Sequence, residues 1–591
     1  MRELRVLICR FSALATLLGA PVAIHCQPIV FSAVNSASYD KSVIAQGSIL
    51  TVFGSGLGPD QLQQAATYPL TSQLAGTSIQ VTAGSTVMNC PMIYASSSQS
   101  AAILPSNAPS GPATIHVIYN GRTDPSGAAI TIKSSAFGIY TTASSGQGPG
   151  VITGVDYKVK DLQNSAHPGE TLILWGTGLG AIDGADNVVP TVGKQFPNVQ
   201  VYVGTHQAAV SYAGRSGCCA GLDQIVFDVP ASISGCFVPV ALHSGDSTSN
   251  FVTLAIASSG SACSDRAPGL PTSIVTRAFN GEELRLGALA VGPIAILGGA
   301  GFQFSHSIAQ LLSAALHTAV SDDDARRVID AYQGRDLRAI ARVLRNYPVQ
   351  KQSPKQLAHM LRAAVSLDQQ GAAAAFGTST GVSPFASLLA SHLAPVGTCM
   401  VTRELFLPNR THARSLDAGQ ALTLAGPMGQ RSMSQVRGQY QVSLGSGFQT
   451  GNVPPGAYSI SGNGGRDIPA FTTSLTISSA ISWTNKAALS SIDRVQPLTI
   501  TWSGASVPGY VIIGASVHTI NENTTLVCSE DSAKGSFTIP AFILSALPAA
   551  SSRYAYMFVA PHPLSTVVAI PGLDLAYFVN GSSDYQAIEL R

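Results

Sequence analysis

Apolar and polar positions alternate in short runs over most of the chain, and Gly, Pro, Asn and Ser separate the runs at intervals that suit turns. Ile49-Leu-Thr-Val-Phe53, Ala421-Leu-Thr-Leu424, Ala457-Tyr-Ser-Ile460, Leu498-Thr-Ile-Thr-Trp502 and Tyr510-Val-Ile-Ile513 are runs of this kind. Short strands with that turn chemistry predict β-sandwiches. Between Ser305 and Gly371 the period changes. Ile308, Leu311, Leu312, Ala315, Leu316, Ala319 and Val320 share one helical face, and further stripes follow at Val328/Ile329/Tyr332, Leu337/Ile340/Ala341/Leu344 and Leu357/Met360/Leu361/Ala364. The expected fold is mainly β, with a small α-helical insertion of four short helices at about 305–371. The uncharged stretch from Leu286 to Phe302 is too short for a membrane span and contains Pro293 among several glycines, so it predicts a buried β-hairpin.

One pattern occurs twice. Gln46-Gly-Ser-Ile-Leu-Thr-Val-Phe-Gly-Ser-Gly-Leu-Gly58 returns as Pro168-Gly-Glu-Thr-Leu-Ile-Leu-Trp-Gly-Thr-Gly-Leu-Gly180, an offset of 122. Ile79 to Gly84 matches Val199 to Gly204 at 120, and Gly111 to Val117 matches Gly235 to Ala241 at 124. Offsets of 120 to 124 over several strands predict two copies of one supersecondary unit.

These phrases carry a resemblance. Ala33-Val-Asn-Ser-Ala-Ser-Tyr39, Gly47 to Pro59, Ala209 to Pro230 with its Cys-Cys-Ala-Gly-Leu-Asp-Gln centre, and Gly235-Cys-Phe-Val-Pro239 resemble an uncharacterised domain of exported acidobacterial proteins. Each half is similar to an IPT/TIG immunoglobulin-like module. The resemblance covers about residues 29 to 265, and the C-terminal third resembles the tail that accompanies that domain, including Leu416-Asp-Ala-Gly419 and Ser482-Trp-Thr-Asn485. It implies export and tandem immunoglobulin-like β-sandwiches, and it brings no catalytic residues. The expected division is a signal peptide at 1–26, sandwiches at 29–138 and 139–264, a mixed segment at 265–398 holding the helical insertion, a β-rich domain at 399–485 and a C-terminal sandwich at 486–591.

Charge narrows the partners. Charged residues make up 11% of the chain against the roughly 25% usual in soluble domains, and 33 basic side chains face 31 acidic ones. Global electrostatics therefore recruit neither nucleic acid nor an anionic membrane. One local exception stands out. Arg335, Arg338, Arg342 and Arg345 fall on one face of the third expected helix, in a stretch from Ser321 to Arg362 where nine Lys or Arg outnumber five Asp. That stripe is a candidate site for an anionic polymer, with a solvated helix face as the plain alternative. Asp322 to Asp324 sit at a helix start, where the dipole favours negative charge, and read as capping rather than metal binding.

The N-terminus places Arg2, Arg5 and Arg10 before an apolar stretch from Phe11 to Ile24, the pattern of a secretory signal. The mature chain, expected in the extracellular space or cell envelope, then has no transmembrane helix. Of nine cysteines, Cys9 and Cys26 leave with the signal, and the other seven are read as disulfide formers in preference to metal ligands, the odd count leaving one unpaired, since an oxidising compartment favours bridges and no C-x-x-C pair is present. Cys236 opens the strand Phe237 to Leu242 and Cys263 follows the strand Asn250 to Ala257. An antiparallel hairpin of the two would bring these cysteines together. Pro112 occupies the matching position of the first copy. Cys399 and Cys528 are paired as the isolated cysteines of the C-terminal half. Cys218-Cys219 is either a vicinal bridge or two partners for other thiols, and Cys90 stays free.

Catalytic patterns are scarce. Gly54-Ser-Gly-Leu-Gly58 and its copy follow apolar strands as a dinucleotide fingerprint does, yet the glycine spacing is wrong and no amphipathic helix follows, so a glycine-rich corner is expected. Gly377-Thr-Ser-Thr-Gly381 matches a nucleophile-elbow expression around Ser379 but follows an Ala-rich segment in place of a buried strand. The twelve histidines show no metal-ligand spacing. No catalytic residue, cofactor site or metal site is assigned. The reading is a non-catalytic surface adhesion, scaffold or interaction protein that meets a protein or polysaccharide at the cell surface. The alternatives are a carbohydrate-binding accessory protein, against which the 7% aromatic content and three Trp weigh, and a hydrolase with an unrecognised site. Export is checked directly: N-terminal sequencing of envelope or extracellular material is expected to begin between Pro21 and Pro28, and intact Met1 in the cytosol would refute it.

Overall fold

A computed structural model describes residues 27–263, 272–279, 282–293, 369–380, 395–405 and 414–591, with short breaks at 42, 193–194, 437–438, 447–453, 478–480, 505–508, 519–521, 552–554, 562–564 and 581–582, and isolated positions between 324 and 343. The expected helical insertion at 305–371 otherwise lies outside the described residues. The described chain is mainly β and falls into two compact units. Of the described residues, the first takes those up to Tyr140 with those of 174–199 and 210–226, and the second takes those of 141–173, 200–209 and from Phe227 onward.

In the first unit a five-stranded sheet runs in the order Ile29–Asn35, Ile49–Ser55, Gln99–Ile103, Met92–Ala95, Gln63–Gln64. A second sheet runs Val43–Ala45, Ala128–Lys133, Gly111–Tyr119, Thr77–Ala83, Thr86–Asn89. Alternation decides which side chains face inward: Thr77–Ala83 buries Ile79 and Val81 and leaves Ser78 and Gln80 partly open, as period-two geometry requires. Leu50 and Val52 from one sheet meet Ile79, Val81, Ile115, Val117, Ile130 and Ile132 from the other in one core, which makes the pair a β-sandwich.

The sequence repeat is a repeat of strands. Ile49–Ser55 and Thr171–Thr177 keep the offset of 122 at both ends. Each is crossed by a preceding strand at the same glycine: Val30 stands opposite Gly54, and Ile139 opposite Gly176. A Cβ at Gly54 would collide with the Ile29 carbonyl oxygen, and one at Gly176 with the Gly138 carbonyl oxygen. At the corner that follows, Gly56 and Gly178 take φ of +65° and +113°, a region that L side chains pay to enter.

The second unit contains the antiparallel pair Gly235–Ser244 and Val252–Ile256, with Val238 opposite Leu254 and Val240 opposite Val252. A nine-stranded sheet is built around Glu283–Pro293, which pairs antiparallel with Gln369–Thr380 over its whole length and parallel with Leu575–Asn580. The apolar segment thus finds its antiparallel partner far along the chain, and residues 294–302, the second arm of the expected hairpin, lie outside the described residues. A five-stranded sheet follows the order Thr398–Leu405, Glu522–Asp531, Tyr510–His518, Ala555–Pro561, Asp584–Ala587, over a core that holds Trp483, Ile500, Trp502 and Ile513. No helix among the described residues is long and apolar enough to cross a membrane.

The close crossings generate a stability test. Gly54→Ala is expected to lower the stability of the first unit by about 1–3 kcal/mol through overpacking. Gly184→Ala, where the added carbon meets nothing within 4 Å, is expected to stay within about 0.5 kcal/mol. Urea midpoints of the two full-length variants decide it.

Candidate functional site

A strand that ends in a glycine-rich corner leaves amide groups outside its ladder, and buried amides must find acceptors. In the first copy they find backbone. Gly54 N donates to Ser98 O at 3.0 Å and Leu57 N to Ser97 O at 3.0 Å, both carbonyls belonging to the tight link at 96–98. In the second copy Gly178 N and Leu179 N both donate to one carboxylate oxygen of Asp223, at 2.8 and 2.9 Å. The link between His206–Arg215 and Asp223–Asp228 is then free to lengthen, and it runs from Ser216 to Leu222, carrying the Cys-Cys-Ala-Gly segment. The same amides are the ones a bound phosphate would need, so the corner is a structural junction.

Asp223 and Arg215 close the neck of this loop. Asp223 is 0% and Arg215 3% exposed, and the guanidinium donates to the carboxylate. The guanidinium also donates to Gly47 O at 2.8 Å and Gly180 O at 2.7 Å, and its carbon lies 5.9 Å from the Phe196 ring centre. Burial pushes the Asp223 carboxyl above the ordinary carboxylate range, while the guanidinium and the two amides pull it down. A buried pair of this kind contributes less to net stability than to fixing one arrangement, and losing either member strands a charge.

Beyond the neck the loop is held from below and open above. Thr177 Oγ1 donates to Gly221 O at 2.7 Å and accepts from Ile49 N at 2.9 Å. Ala220 packs with Leu70 and Ile103, and its amide donates to the Tyr68 hydroxyl at 3.2 Å. Cys218 and Cys219 are bonded to each other, with Cys218 exposed and Cys219 half-buried. The segment 187–192 lies against the same region: Asn187 and Leu70 exchange two hydrogen bonds, and a Cβ at Gly217 would meet Val192 at 2.5 Å. Tyr68, Val192 and Leu62 are 43%, 56% and 58% exposed. Arg215, Asp223 and Tyr68 were not singled out by sequence reasoning. The signal was two charged residues bracketing the cysteine pair in a chain where charge is rare.

The other candidate residues are distributed elsewhere. Cys236 and Cys263 form a bridge with Cα atoms 5.4 Å apart, beside the Gly235–Ser244 and Val252–Ile256 pair. Cys399 and Cys528 stand opposite each other in the ladder of Thr398–Leu405 and Glu522–Asp531 and are bridged there. Cys90 is a free, buried thiol. Arg335, Arg338 and Arg345 lie outside the described residues, whereas Arg342 is helical and exposed. Asp322 and Asp323 also lie outside them, and Asp324 pairs with Arg327 at 3.6 Å. Ser379 is inside the strand Gln369–Thr380, opposite Leu284, so it occupies a ladder position and not a strand-to-helix turn. The Ala-rich segment before it is itself a buried strand, contrary to the sequence expectation. Ala372 and Ala374 are small enough to pack with Leu289 and Val291 on one face, and Ala373 packs with Ala290 and Tyr577 on the other. Among the described residues no group of three or more His, Cys, Asp or Glu could hold a metal ion.

The neck predicts its own sensitivity. Arg215→Met leaves the Asp223 carboxyl buried without its counter-charge and is expected to cost about 3–5 kcal/mol. Urea unfolding of the full chain, with hydrogen exchange at Gly178 and Leu179, measures it.

No family model matches the chain, and no curated protein matches it. The chain also aligns with solved structures at low identity. Domains 5–6 of the S-layer protein SbsC are 10% identical, with 39% of this chain and 100% of that one covered at a TM-score of 0.16. SGBP-B of the Bacteroides ovatus mixed-linkage glucan utilization locus, in complex with a mixed-linkage heptasaccharide, is 9% identical over 93% and 95% at 0.12. The Clostridium thermocellum CbhA fibronectin(III)-like modules are 11% identical over 40% and 100% at 0.12.

Proposed function

We propose that this chain is an exported, non-catalytic interaction protein of the cell surface, built from IPT/TIG-like immunoglobulin modules of the acidobacterial kind and an accompanying β-rich tail. Its partner-binding element is the 216–222 loop of the second copy. The observation that carries the reading is the asymmetry between copies. The corresponding Leu57 and Leu179 amides meet a backbone carbonyl of a tight link in one copy and a buried, ion-paired carboxylate beneath an open, longer loop in the other. Loops held on a rigid β-scaffold are where binding residues concentrate. Of the exposed side chains that touch the loop, Val192 is aliphatic and Tyr68 is the ring, while Trp483 and Trp502 are buried. Sugar recognition relies on exposed aromatic faces, whereas aliphatic patches rimmed by polar groups suit protein partners. A protein of the cell envelope is therefore favoured over a polysaccharide. Three bridges among the described cysteines suit an oxidising compartment.

The test immobilises the mature chain and presents it in parallel with envelope proteins and a glycan array. Retention of a defined envelope protein that falls at least tenfold with Tyr68→Ala or Val192→Asp, and is unchanged by Tyr157→Ala in the second unit, is the expected result. Glycan retention with the same mutational pattern would favour the carbohydrate-binding accessory role instead. Retention of neither class, or retention indifferent to the loop surface, would overturn the proposal.

A further inference from the structure

We infer that Cys218–Cys219 is a thiol-exchange site, opened by a dithiol reductant, that releases the tip of the 216–222 loop without unfolding the sandwich beneath it. Three observations lead there. The first is access. Cys218 is exposed, whereas Cys399 and Cys528 are fully buried in their ladder and Cys236 is buried beside a half-buried Cys263. Exchange begins with a thiolate reaching a sulfur along the S–S axis, so accessibility ranks the three bridges.

The second is the leaving group. The Ser216 hydroxyl donates to Cys218 Sγ at 3.1 Å and accepts from Cys218 N at 3.2 Å, which holds the hydroxyl in place. When an external thiolate attacks the exposed Cys218 Sγ, a new S–S bond forms there, the Cys218–Cys219 bond breaks, and its electron pair leaves on Cys219 Sγ. The second thiol of the reductant then attacks the mixed disulfide at its own first sulfur, and Cys218 leaves. The Ser216 hydroxyl is already positioned to stabilise that departing sulfur as a thiolate. In total one protein disulfide and one dithiol become two protein thiols and the disulfide of the reductant.

The third is the consequence. The bridge closes a small ring through the 218–219 peptide and so fixes the turn in which Leu222 N donates to Cys219 O at 3.3 Å and Ala220 N donates to Tyr68 Oη at 3.2 Å. Once the sulfurs separate, the two side chains take independent rotamers and nothing covalent holds that turn. The Arg215–Asp223 pair and the Ser216 N to Leu222 O bond, 2.8 Å, lie below the tip and keep the neck shut. Loosening is therefore confined to the tip. Cys90 does not interfere: burial pushes its thiol up to about 12, which leaves it unreactive near pH 8. The inference concerns the loop alone and stands whatever partner the loop meets.

The experiment uses the full mature chain in native buffer at pH 8. Graded dithiothreitol is followed by rapid alkylation and peptide mass spectrometry, with hydrogen exchange on parallel samples. Cys218 and Cys219 are expected to be alkylated at least tenfold faster than Cys236, Cys263, Cys399 and Cys528. Where only they are reduced, the Ala220 and Leu222 amides are expected to exchange at least tenfold faster while the Asp223–Asp228 amides keep their protection. The Cys218→Ser/Cys219→Ser double variant is expected to show the fast exchange without reductant. Reduction of this bridge no sooner than the buried ones, or its selective reduction with unchanged exchange at Ala220 and Leu222, would overturn the inference. The wild-type measurement decides even where the double variant fails to fold.

Discussion

Buried amides at a glycine-rich corner must be given acceptors, and the first unit is arranged around that requirement. The corner itself is forced, because strands that cross at Gly54 and Gly176 leave no room for a Cβ, and the chain must then turn at positive φ. In the first copy a neighbouring link supplies two carbonyls, which obliges that link to stay short and to run along the corner. In the second copy the Leu179 amide, which corresponds to that of Leu57, turns instead to the Asp223 carboxylate, and the Gly178 amide joins it there. A buried carboxylate then requires a cation, Arg215, whose second terminal nitrogen takes the carbonyls of Gly47 and Gly180. One substitution of acceptor type thus draws in a chain of partners, and its outcome is a loop released from structural duty.

Charge is used with the same economy in the second unit. Asp574 accepts from Arg277 at 2.7 Å and from the Arg285 amide at 2.7 Å, and Arg285 in turn donates to the Asp467 carbonyl oxygen. The Asp417 amide and the Arg466 guanidinium beside Asp467 hold its carboxyl at about 2. These groups tie Glu283–Pro293 and the parallel strand Leu575–Asn580 to the turn at 464–468. Solvent screens most of their attraction, so their value lies in register more than in net stability.

Much of the sandwich was legible because its signals are local. Period-two alternation at Thr77–Ala83 and the positive-φ glycines at 56 and 178 each encode a conformation within a few residues. The Ala-rich strand Gln369–Thr380 was not legible in that way. Alanine has weak strand propensity, and what makes it a strand is the partner Glu283–Pro293, far along the chain. The parallel association with Leu575–Asn580 is likewise a tertiary choice with no local mark. The candidate site fell between these cases. The cysteine pair was visible, but its ion-pair neck depends on Asp223 turning inward at the first position of a strand, and Tyr68 joins the site only through the fold.

The three bridges differ in what they can do, and sequence separation alone says why. A bridge that closes a long loop stabilises by about 2–4 kcal/mol, mainly by removing conformations from the unfolded chain, and the separations of 27 and 129 residues at Cys236–Cys263 and Cys399–Cys528 qualify. A bridge between adjacent residues closes almost no loop, so the unfolded chain gives up little to it. Whatever Cys218–Cys219 contributes must therefore act in the folded state, on the few residues of the 216–222 tip. Since Thr177, Leu70 and Ile103 already hold the base of that loop, the part left for the bridge to govern is the exposed turn itself.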